Sequence, residues 1–529
     1  MTSEDDSNGG LLRTIERVGN RLPDPVTLFI IGAAAVLILS EVAAQTGWQV
    51  RNPTTQETES VTSLLSGEGH TWVWSNLIDN FTGFAPLGVV LVGMIGIGVA
   101  EKSGLIGALL KSVVQVTPQH LLTPAVVFVG VMSSMALDAG YVVLPPLAAA
   151  VFARAGRSPL VGMAAVFAGI AAGFSANLLI TGLDPLLQSF TQTAAQLLDP
   201  NYQVDIRCNY YFMIASTIMM TFVGWLVTNK IEKGYSAEEI QAQVDASKAA
   251  ETGGDGSSVD DGEQTSLTSA EQNGLMAAAG TLLVVGGGIM AMVLVPNAPL
   301  HGTIEPRPGW ELAVWVSVIV PILFVLFLAP GLAYGIAAGT IKNDRNVATM
   351  MNDTMKTMGP YIVLAFFAAQ FVSWFGHSNL GKVMALEGVA LLQRFNLPLW
   401  LLVIAVVVLA GILNLFIGSA SAKWALISTV FVPIFAGVGI SPELTQCAYR
   451  VGDSVTNSIA PLNPYLVIML VFMKKYVPKA GIGSLISLML PYTIAFFICW
   501  VAMLMVWMGL DLPLGPGNSP MFIEPLSAS

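Results

Sequence analysis

The feature that most constrains this chain is a succession of apolar runs, each close to the length of a membrane span. A helix needs about 20 apolar residues to cross the hydrocarbon core of a bilayer. Eight runs fit this length, and residues 442–475 form a ninth that polar residues interrupt. The runs predict an all-α polytopic membrane protein. The eight runs lie near residues 26–44, 83–100, 159–197 (also interrupted), 208–228, 274–295, 311–330, 359–376 and 481–508.

Charge and motif content exclude several other classes of protein. Only 11% of the 529 residues are charged, against about 25% in soluble proteins, so a globular enzyme with one membrane anchor is excluded. The mean hydropathy of +0.69 agrees with this. No P-loop motif supports ATP-driven transport. The three cysteines form no CxxC pair, and the four histidines lie too far apart to form a metal site.

Two further apolar regions, residues 120–155 and 398–438, have a different pattern. Each contains two apolar arms that small and polar residues join, SSMALDAG in the first and GSASAK in the second. This pattern predicts two re-entrant helical hairpins in addition to nine transmembrane helices. Arginines near the N-terminus place that end in the cytoplasm by the positive-inside rule. Nine spans then place the C-terminus outside. The arginines are Arg13, Arg17 and Arg21.

The polar segment between the two halves divides the chain. We predict a flexible cytoplasmic linker there, because it is rich in Gly, Ser, Asp, Glu and Gln. The predicted parts are a cytoplasmic N-terminus over 1–24, a first half over 25–229 with the hairpin 120–155 and a broken helix over 159–197, the linker over 230–272, a second half over 273–509 with the hairpin 398–438 and a broken helix over 442–475, and an external tail over 510–529.

The two halves share an internal repeat. Ile180-Thr-Gly-Leu-Asp184-Pro185 matches Ile459-Ala-Pro-Leu-Asn463-Pro464, and a Ser-Pro pair precedes both, at Ser158 and Ser441. A hairpin region comes before each Ser-Pro. The charge pattern gives the two copies opposite orientations, so we predict inverted repeats. Secondary transporters with such repeats bind substrate and ions near the midplane, on discontinuous helices.

The polar interruptions at residues 175–185 and 452–464 predict cavity-lining segments, because irregular backbone is not tolerated against lipid. Asp184 and Asn463 suit helix N-caps, with the following prolines at the first helical position. Intramembrane acids are costly and usually functional. We therefore interpret Asp184, with Asn177 nearby, as a cation or proton site that also caps its helix.

Asp453 is the second candidate acid. It lies one helical turn from Arg450 and one turn from Asn457, so the three side chains share a helix face. Two interpretations remain open: an Arg450–Asp453 pair that only joins two helices, or a switchable pair beside the cavity. Asp138, at the tip of the first hairpin, stays a candidate without an assigned role.

The tip of the second hairpin is rich in polar groups. Ser421 suits the cap of the returning arm, which would offer free backbone N–H groups to an anion. Trp424 supplies an aromatic face and an N–H donor, although a tryptophan here also suits packing. Asn414 and Ser419 lie beside them, and Lys423 has no assigned role. The cluster suits a ligand with a carboxylate and an aromatic ring.

Two segments carry a family resemblance. GSASAKWALISTVFVPIFAGVGISPELTQCAYRVGDSVTNSIAPLNPYL and FSANLLITGLDPLL resemble the AbgT family of aminobenzoyl-glutamate transporters and related exporters, and the resemblance covers nearly the whole chain. It implies a homodimer in the bacterial inner membrane, with nine transmembrane helices and two hairpins per subunit. It implies coupling to a cation gradient, import of p-aminobenzoyl-glutamate by some members, and sulfonamide efflux, hence antibiotic resistance, by others. The functional positions that it implies are Asp184, Asp453, Trp424, Ser421, Pro442, Arg450, Pro461 and Asn414.

The sequence therefore predicts a transporter of p-aminobenzoyl-glutamate-like anions or sulfonamides, driven by Na⁺ or H⁺, rather than an enzyme. Trp424 would stack on the aminobenzoyl ring. The alternatives are a Na⁺-coupled dicarboxylate or other organic-anion carrier with the same repeats, an intramembrane enzyme, and a channel. No cofactor other than the coupling ion is expected. The predicted substrate-binding residues are Asn414, Ser421, Trp424, Pro442, Arg450, Asp453 and Pro461; the ion or proton site comprises Asp184, Asp453, Asn177 and Asn457, and Na⁺ binding would add Asn414.

Overall fold

The computed structural model describes residues 25–51, 58–115, 118–136, 139–252, 267–307, 310–395, 397–417, 419–460, 463–516 and 520–526. Helices dominate, and two short antiparallel hairpins of strands accompany them, β1 Gln49–Arg51 with β2 Thr58–Ser60 and β3 Thr303–Arg307 with β4 Trp310–Ala313. The helices of the first half are α1 Pro25–Thr46, α2 Gly67–Ser75, α3 Leu77–Thr82, α4 Ala85–Lys102, α5 Leu105–Gln115, α6 Leu122–Met132, α7 Ala139–Arg154, α8 Pro159–Ala172, α9 Leu183–Ala195 and α10 Tyr210–Glu232.

The linker and second half contain the remaining helices. They are α11 Ala237–Thr252, α12 Ser269–Leu294, α13 Val314–Ser317, α14 Ile319–Ala338, α15 Asp344–Thr357, α16 Gly359–His377, α17 Leu380–Phe395, α18 Leu399–Asn414, α19 Ala420–Ala436, α20 Pro442–Val455, α21 Pro464–Lys474 and α22 Ile482–Gly509.

Six helices of the described residues are long and apolar enough to cross a membrane, namely α1, α10, α12, α14, α16 and α22. They correspond to six of the seven uninterrupted runs in the sequence, and α4 occupies the seventh. One boundary was wrong: the run predicted near 311–330 forms a long helix only from Ile319, because Trp310–Ala313 pairs as a strand with β3. Helix α17, which the sequence analysis missed, bends by 120° into α18.

The internal repeat corresponds to a recurring order of elements. In the first half, α6 and α7 occupy the region predicted as a hairpin, α8 begins at Pro159 after Ser158, and α9 follows a break. In the second half, α18 and α19, then α20 and α21, follow the same order. Ser158 accepts a hydrogen bond from the amide of Val161, and Ser441 accepts one from the amide of Leu444, so both serines cap their helices.

In each half, the first arm of the predicted hairpin packs closely on the helix that begins at the Ser-Pro pair. Helices α6 and α8 meet at Gly130 and Gly169, where an added Cβ would lie 2.5 Å from a carbonyl oxygen of the other helix. In the second half, Gly452 of α20 takes the same role against α18, where its Cβ would overlap the carbonyl group of Val407. Small residues allow such close backbone approach between helices in membranes.

The second arm of each predicted hairpin packs on a helix of the other half. Helix α9 of the first repeat packs on α19 of the second, and α21 of the second packs on α7 of the first. In the second contact the rings of Tyr141 and Tyr465 stack with centroids 3.9 Å apart. The two repeats are therefore joined by reciprocal contacts, and the polar breaks lie beside this joint.

The predicted flexible linker needs correction over part of its length. Residues 237–252 form α11, which packs on α7 and α8. Ser158 donates a hydrogen bond to Oε1 of Gln243 at 2.5 Å, and Val244 is buried. This packing explains why a segment of low apolar content is helical. Residues 253–266 of the linker, together with the N-terminal residues 1–24, lie outside the described residues.

Candidate functional site

In each half, a hydrogen bond joins the break of the broken helix to the region where the two arms of the predicted hairpin meet. Ser134, two residues after the end of α6, donates to Oδ1 of Asn177 at 2.8 Å. Nδ2 of Asn414, the last residue of α18, lies 2.8 Å from Oδ1 of Asn457. Polar side chains of the tips thus bind those of the breaks, which accounts for the clustering of such groups in apolar surroundings.

An ion pair between Lys423 and Asp453 lies at the second of these junctions. The ammonium nitrogen is 2.5 Å from Oδ1 of Asp453, and both side chains are only 1% exposed. Lys423 also donates to Oδ1 of Asn414. The hydroxyl of Tyr449 lies 3.0 Å from the same carboxylate oxygen of Asp453. The lysine that had no assigned role from sequence is therefore the direct partner of the candidate acid.

Asn414 holds this junction together by its amide nitrogen. Its Nδ2 lies 2.7 Å from the carbonyl oxygen of Asp453 and 2.9 Å from Oγ1 of Thr456, in addition to its contact with Asn457. Asn457 in turn donates to the carbonyl oxygen of Ala171, at the end of α8. The structure therefore brings three predicted site residues, Asn414, Asp453 and Asn457, into one hydrogen-bonded cluster.

A second buried ion pair joins Arg450 to Asp184, with Nη2 2.7 Å from Oδ1. The expectation that Arg450 pairs with Asp453 was therefore wrong, because the guanidinium reaches across to α9. This contact between Nη2 and Oδ1 lacks hydrogen-bond geometry, because Oδ1 of Asp184 has no hydrogen-bond partner. Nε of Arg450 has none either. Oδ2 of Asp184 accepts from the amide and hydroxyl of Thr181, at 2.6 and 3.0 Å.

The helix caps at the breaks follow the sequence prediction in part. Asn463 caps α21 as predicted, and its Oδ1 accepts from the amide of Tyr465. Asp184 lies inside the first turn of α9, which begins at Leu183, and its carboxylate turns back to Thr181. The cap of α19 is Ser419, whose Oγ accepts from the amide of Ala422, rather than Ser421. Pro442 is the first residue of α20, as its position after Ser441 indicated.

Trp424 is enclosed by the protein in this structure. Its side chain is fully buried, and its ring stacks on Tyr449 with centroids 4.5 Å apart. The indole Nε1 lies 2.9 Å from Oγ1 of Thr191 and 3.2 Å from the carbonyl oxygen of Leu187. In this conformation the indole offers no surface to a ligand, and its stacking on a substrate ring stays a prediction.

The remaining predicted site residues are distributed differently. Asn177 is buried with Ser134, and its Nδ2 has no hydrogen-bond partner. Ser421 is half-buried, 3.3 Å from the hydroxyl of Ser419. Pro461 and Asp138 lie outside the described residues. A cavity of about 590 Å³ is found elsewhere, between α5, α7, α12 and α21, and none of the predicted site residues lines it.

Sequence reasoning missed several polar residues that complete the site. Tyr449 is four residues before Asp453, and this i,i+4 spacing on α20 was a usable signal. Thr191 is seven residues, or two helical turns, after Asp184, which places both on one face of α9. The contact of Thr191 with Trp424 had no signal in the sequence, because the two residues belong to different repeats.

The residues at Asp453 do not fit a Na⁺ ion. Na⁺ favours oxygen ligands, as other hard cations do, and two such oxygens, Oδ1 of Asn414 and Oδ1 of Asp453, are near each other. Both already contact the ammonium group of Lys423. At the first junction Arg450 opposes Asp184 in the same way. Each candidate carboxylate therefore has a cation of the protein itself as its partner.

Membrane-crossing helices, two broken helices in repeated order, and charged pairs buried where those helices break define a multi-pass transporter rather than an enzyme. Comparison with known proteins agrees. The chain belongs to the AbgT putative transporter family, whose model matches residues 10–522. The resemblance inferred from sequence is thereby confirmed.

Individual relatives cover almost the whole chain. The p-aminobenzoyl-glutamate transport protein of Escherichia coli K12 is 34% identical over 524 residues, which is 97% of each chain. The crystal structure of the YdaH transporter of Alcanivorax borkumensis matches with a TM-score of 0.85 and 40% identity, over 93% of this chain and all of that one. The structure of MtrF of Neisseria gonorrhoeae, described as one of a class of antimetabolite efflux pumps, matches with a TM-score of 0.86 and 39% identity, over 96% and 99%.

Proposed function

We propose that this chain is a secondary transporter that exports p-aminobenzoyl-glutamate-like folate catabolites, sulfonamides, or both, by antiport with a cation, H⁺ or Na⁺. The observation that carries the proposal is the presence of two buried ion pairs, Arg450–Asp184 and Lys423–Asp453, one at the break of each repeat. Buried charges are costly unless they are paired. Charges retained at such breaks are typical of ion and substrate pathways.

The substrate class follows from the chemistry of these groups and from the relatives. The Escherichia coli relative is named for p-aminobenzoyl-glutamate transport, and a structural relative is described as an antimetabolite efflux pump. p-Aminobenzoyl-glutamate carries two carboxylates, for which Arg450 and the N-terminal ends of the half-helices are suitable partners. Trp424 would stack on its ring once α19 has moved from α9, because the indole is buried in the present arrangement.

The proposal includes the membrane architecture. We propose that each subunit of a homodimer has nine spans and two re-entrant hairpins arranged as inverted repeats. The protein would lie in the bacterial inner membrane, with the N-terminus in the cytoplasm and the C-terminus in the periplasm. Six membrane-length helices and the reciprocal contacts of the two repeats support this arrangement. Cysteine labelling from one side of the membrane at a residue of the segment between α1 and α4, such as the exposed Ser75 at the end of α2, tests the orientation.

Counterflow in proteoliposomes tests the function. Labelled p-aminobenzoyl-glutamate and a labelled sulfonamide are each followed under an imposed Na⁺ or proton gradient. We expect saturable flux that follows one of the gradients and is lost in Asp453→Ala with expression confirmed. The matched control is Asp353→Ala, which removes an acid of the exposed pair with Lys356. Unchanged flux in Asp453→Ala, or flux that ignores both gradients, would contradict the proposal.

A dicarboxylate or other organic-anion carrier is the alternative within the same architecture. Competition separates the two. Succinate or another simple dicarboxylate that displaces the labelled aromatic substrate at equal concentration would favour the alternative, because the aromatic ring would then contribute nothing to recognition. Failure of dicarboxylates to compete would support the aromatic amide or sulfonamide as substrate.

A further inference from the structure

We propose that Lys423 is a built-in cation that occupies the oxygen cluster of Asn414 and Asp453 and so excludes Na⁺ from it. The inference rests on the proposed function for its importance to coupling, but it concerns ion binding by this chain alone. It assigns to Lys423 a role in ion selectivity: with the lysine present the cluster binds no alkali-metal ion, and without it the same oxygens form a Na⁺ site.

The geometry of the ammonium group carries the inference. Nζ of Lys423 lies 2.5 Å from Oδ1 of Asp453 and also contacts Oδ1 of Asn414, two oxygens from different helices. Carboxylate and amide oxygens are the ligands that hard cations prefer. The position between them is already taken by a nitrogen that carries one positive charge, which is also the charge of Na⁺.

Loss of the Lys423 ammonium group would leave the buried carboxylate of Asp453 without a cation, so another cation would have to replace it. Asn414 is fixed in the orientation that presents Oδ1 to Lys423, because its Nδ2 donates to the carbonyl oxygen of Asp453 and to Thr456. The Asp453 carboxylate is 1% exposed, so water does not solvate it. Removing one partner of such a buried pair leaves an uncompensated charge. A cation of the same charge is the replacement that these oxygens favour.

The other charges nearby do not provide this compensation. Arg450 faces Asp184 rather than Asp453. Among the helices that pack on α20, neither α8 nor α18 carries a titratable residue. The titratable side chains of α20 and of α8, α9, α10, α18, α19 and α22, which contact it, are Asp184 on α9, Tyr210, Tyr211, Lys230 and Glu232 on α10, Lys423 on α19, Glu443, Cys447, Tyr449, Arg450 and Asp453 on α20, and Tyr492 and Cys499 on α22. Lys423 is therefore the cationic side chain of this group that pairs with Asp453.

The experiment measures ion binding by the purified full chain in detergent, without substrate. The quantity is the thermal unfolding midpoint in NaCl minus that in choline chloride at equal concentration. A ligand that binds only the folded state raises the midpoint. We expect a clear increase of this difference in Lys423→Met over the unaltered protein, growing with NaCl concentration. Lys423→Arg keeps the charge, and Lys356→Met removes an exposed lysine; both should behave as the unaltered protein does.

A double variant, Lys423→Met with Asp453→Asn, removes both charges and should lose the gain in Na⁺ response. Folding of Lys423→Met in NaCl but not in choline chloride also supports the inference. A Na⁺ response in Lys423→Met no greater than that of the unaltered protein would overturn it. So would failure of Lys423→Met to fold in either salt, because Na⁺ then does not replace the ammonium group. Since no transported substrate is used, these results stand whether or not the counterflow assay supports the proposed function.

Discussion

The indole Nε1 of Trp424 lies 2.9 Å from Oγ1 of Thr191, and this contact joins the returning arm of the second hairpin to the half-helix of the first repeat. The same threonine oxygen is 2.8 Å from Nε2 of Gln446 on α20. Oε1 of Gln446 accepts from Nδ2 of Asn209, at the start of α10, at 2.6 Å. One buried hydroxyl thus connects three helices of the site. Movement of α19 away from α9 would break the contact between Trp424 and Thr191.

Replacing Thr191 by Val tests the strength of this joint. Valine has nearly the same shape but accepts no hydrogen bond, so the buried donors of Trp424 and Gln446 lose a partner. We expect a loss of about 1–3 kcal/mol in unfolding free energy. Chemical unfolding in detergent, followed by tryptophan fluorescence, measures it. Thr71→Val is the control, because Thr71 is exposed and its hydroxyl bonds to the carbonyl of Gly67 in its own helix. Equal effects of the two substitutions would show that the joint is not stabilising.

From the ion pair of Arg450 and Asp184 we predict how the free energy of unfolding changes when one or both charges are removed. Arg450→Met leaves the carboxylate of Asp184, which is only 2% exposed, without its cation. We expect a loss of about 3–5 kcal/mol, the range for breaking a buried pair. The double variant Arg450→Met with Asp184→Asn should recover much of this loss, since no charge is then left unpaired. Thermal unfolding of the single and double variants measures the recovery. A double variant less stable than Arg450→Met would contradict the assigned pairing.

The absence of a side chain at Gly452 permits the close approach of α18 and α20. A Cβ there would lie 2.8 Å from the carbonyl carbon of Val407, so Gly452→Ala must push α18 away and disturb Asn414 at its end. We expect destabilisation of about 1–3 kcal/mol, as for other overpacked sites, and reduced transport. Gly280→Ala in α12 is the matched control, with nothing within 4 Å of its Cβ. Alanine favours a helix over glycine by about 1 kcal/mol, so this control should be neutral or stabilising in the unfolding assay.

Glu59, on strand β2 between α1 and α2, lies outside the membrane-spanning segments, and its ion pair leads us to expect a pH-dependent stability. Burial raises the pKa of this carboxyl, but hydrogen bonds from Lys382 and Asn379 and the lysine charge outweigh burial, so its pKa lies below the ordinary 4.5. The contact with Lys382 is 2.8 Å. Because the folded-state pKa is lowered, the stabilisation is present above about pH 4.5 and is lost as the pH falls through the folded value.

Glu59→Gln should remove this contribution. We expect the thermal midpoint of the unaltered protein to fall more steeply below pH 4.5 than that of Glu59→Gln, and the two curves to converge at the acid end. Glu68→Gln, at an exposed glutamate in the first turn of α2, is the control for general charge effects. A Glu59→Gln curve with the same slope as the unaltered protein would show that the pair with Lys382 does not contribute.

Much of the architecture was predictable from sequence because a bilayer imposes strict rules on length and polarity. Six uninterrupted runs near 20 residues correspond to six membrane-length helices. The two Ser-Pro pairs and Asn463-Pro464 correctly indicated helix starts at Pro159, Pro442 and Pro464, whereas the start predicted at Pro185 was wrong, because α9 begins at Leu183. These signals are local, since a cap and a proline act within one turn. The linker helix α11 was missed, because its stability comes from packing on α7 and α8 rather than from its own composition.

The partners of the polar residues depended on the tertiary structure. The sequence by itself indicated that Asp184, Arg450 and Asp453 lie in broken membrane helices, in or near the interruptions, because the cost of such groups is tolerated there. It did not determine that Arg450 pairs with Asp184, that Lys423 pairs with Asp453, or that Trp424 binds Thr191. Each of these contacts joins different helices, and two of them join different repeats. Spacing along one helix reports which residues share a face, whereas the packing of helices from both halves decides which opposite charge that face meets.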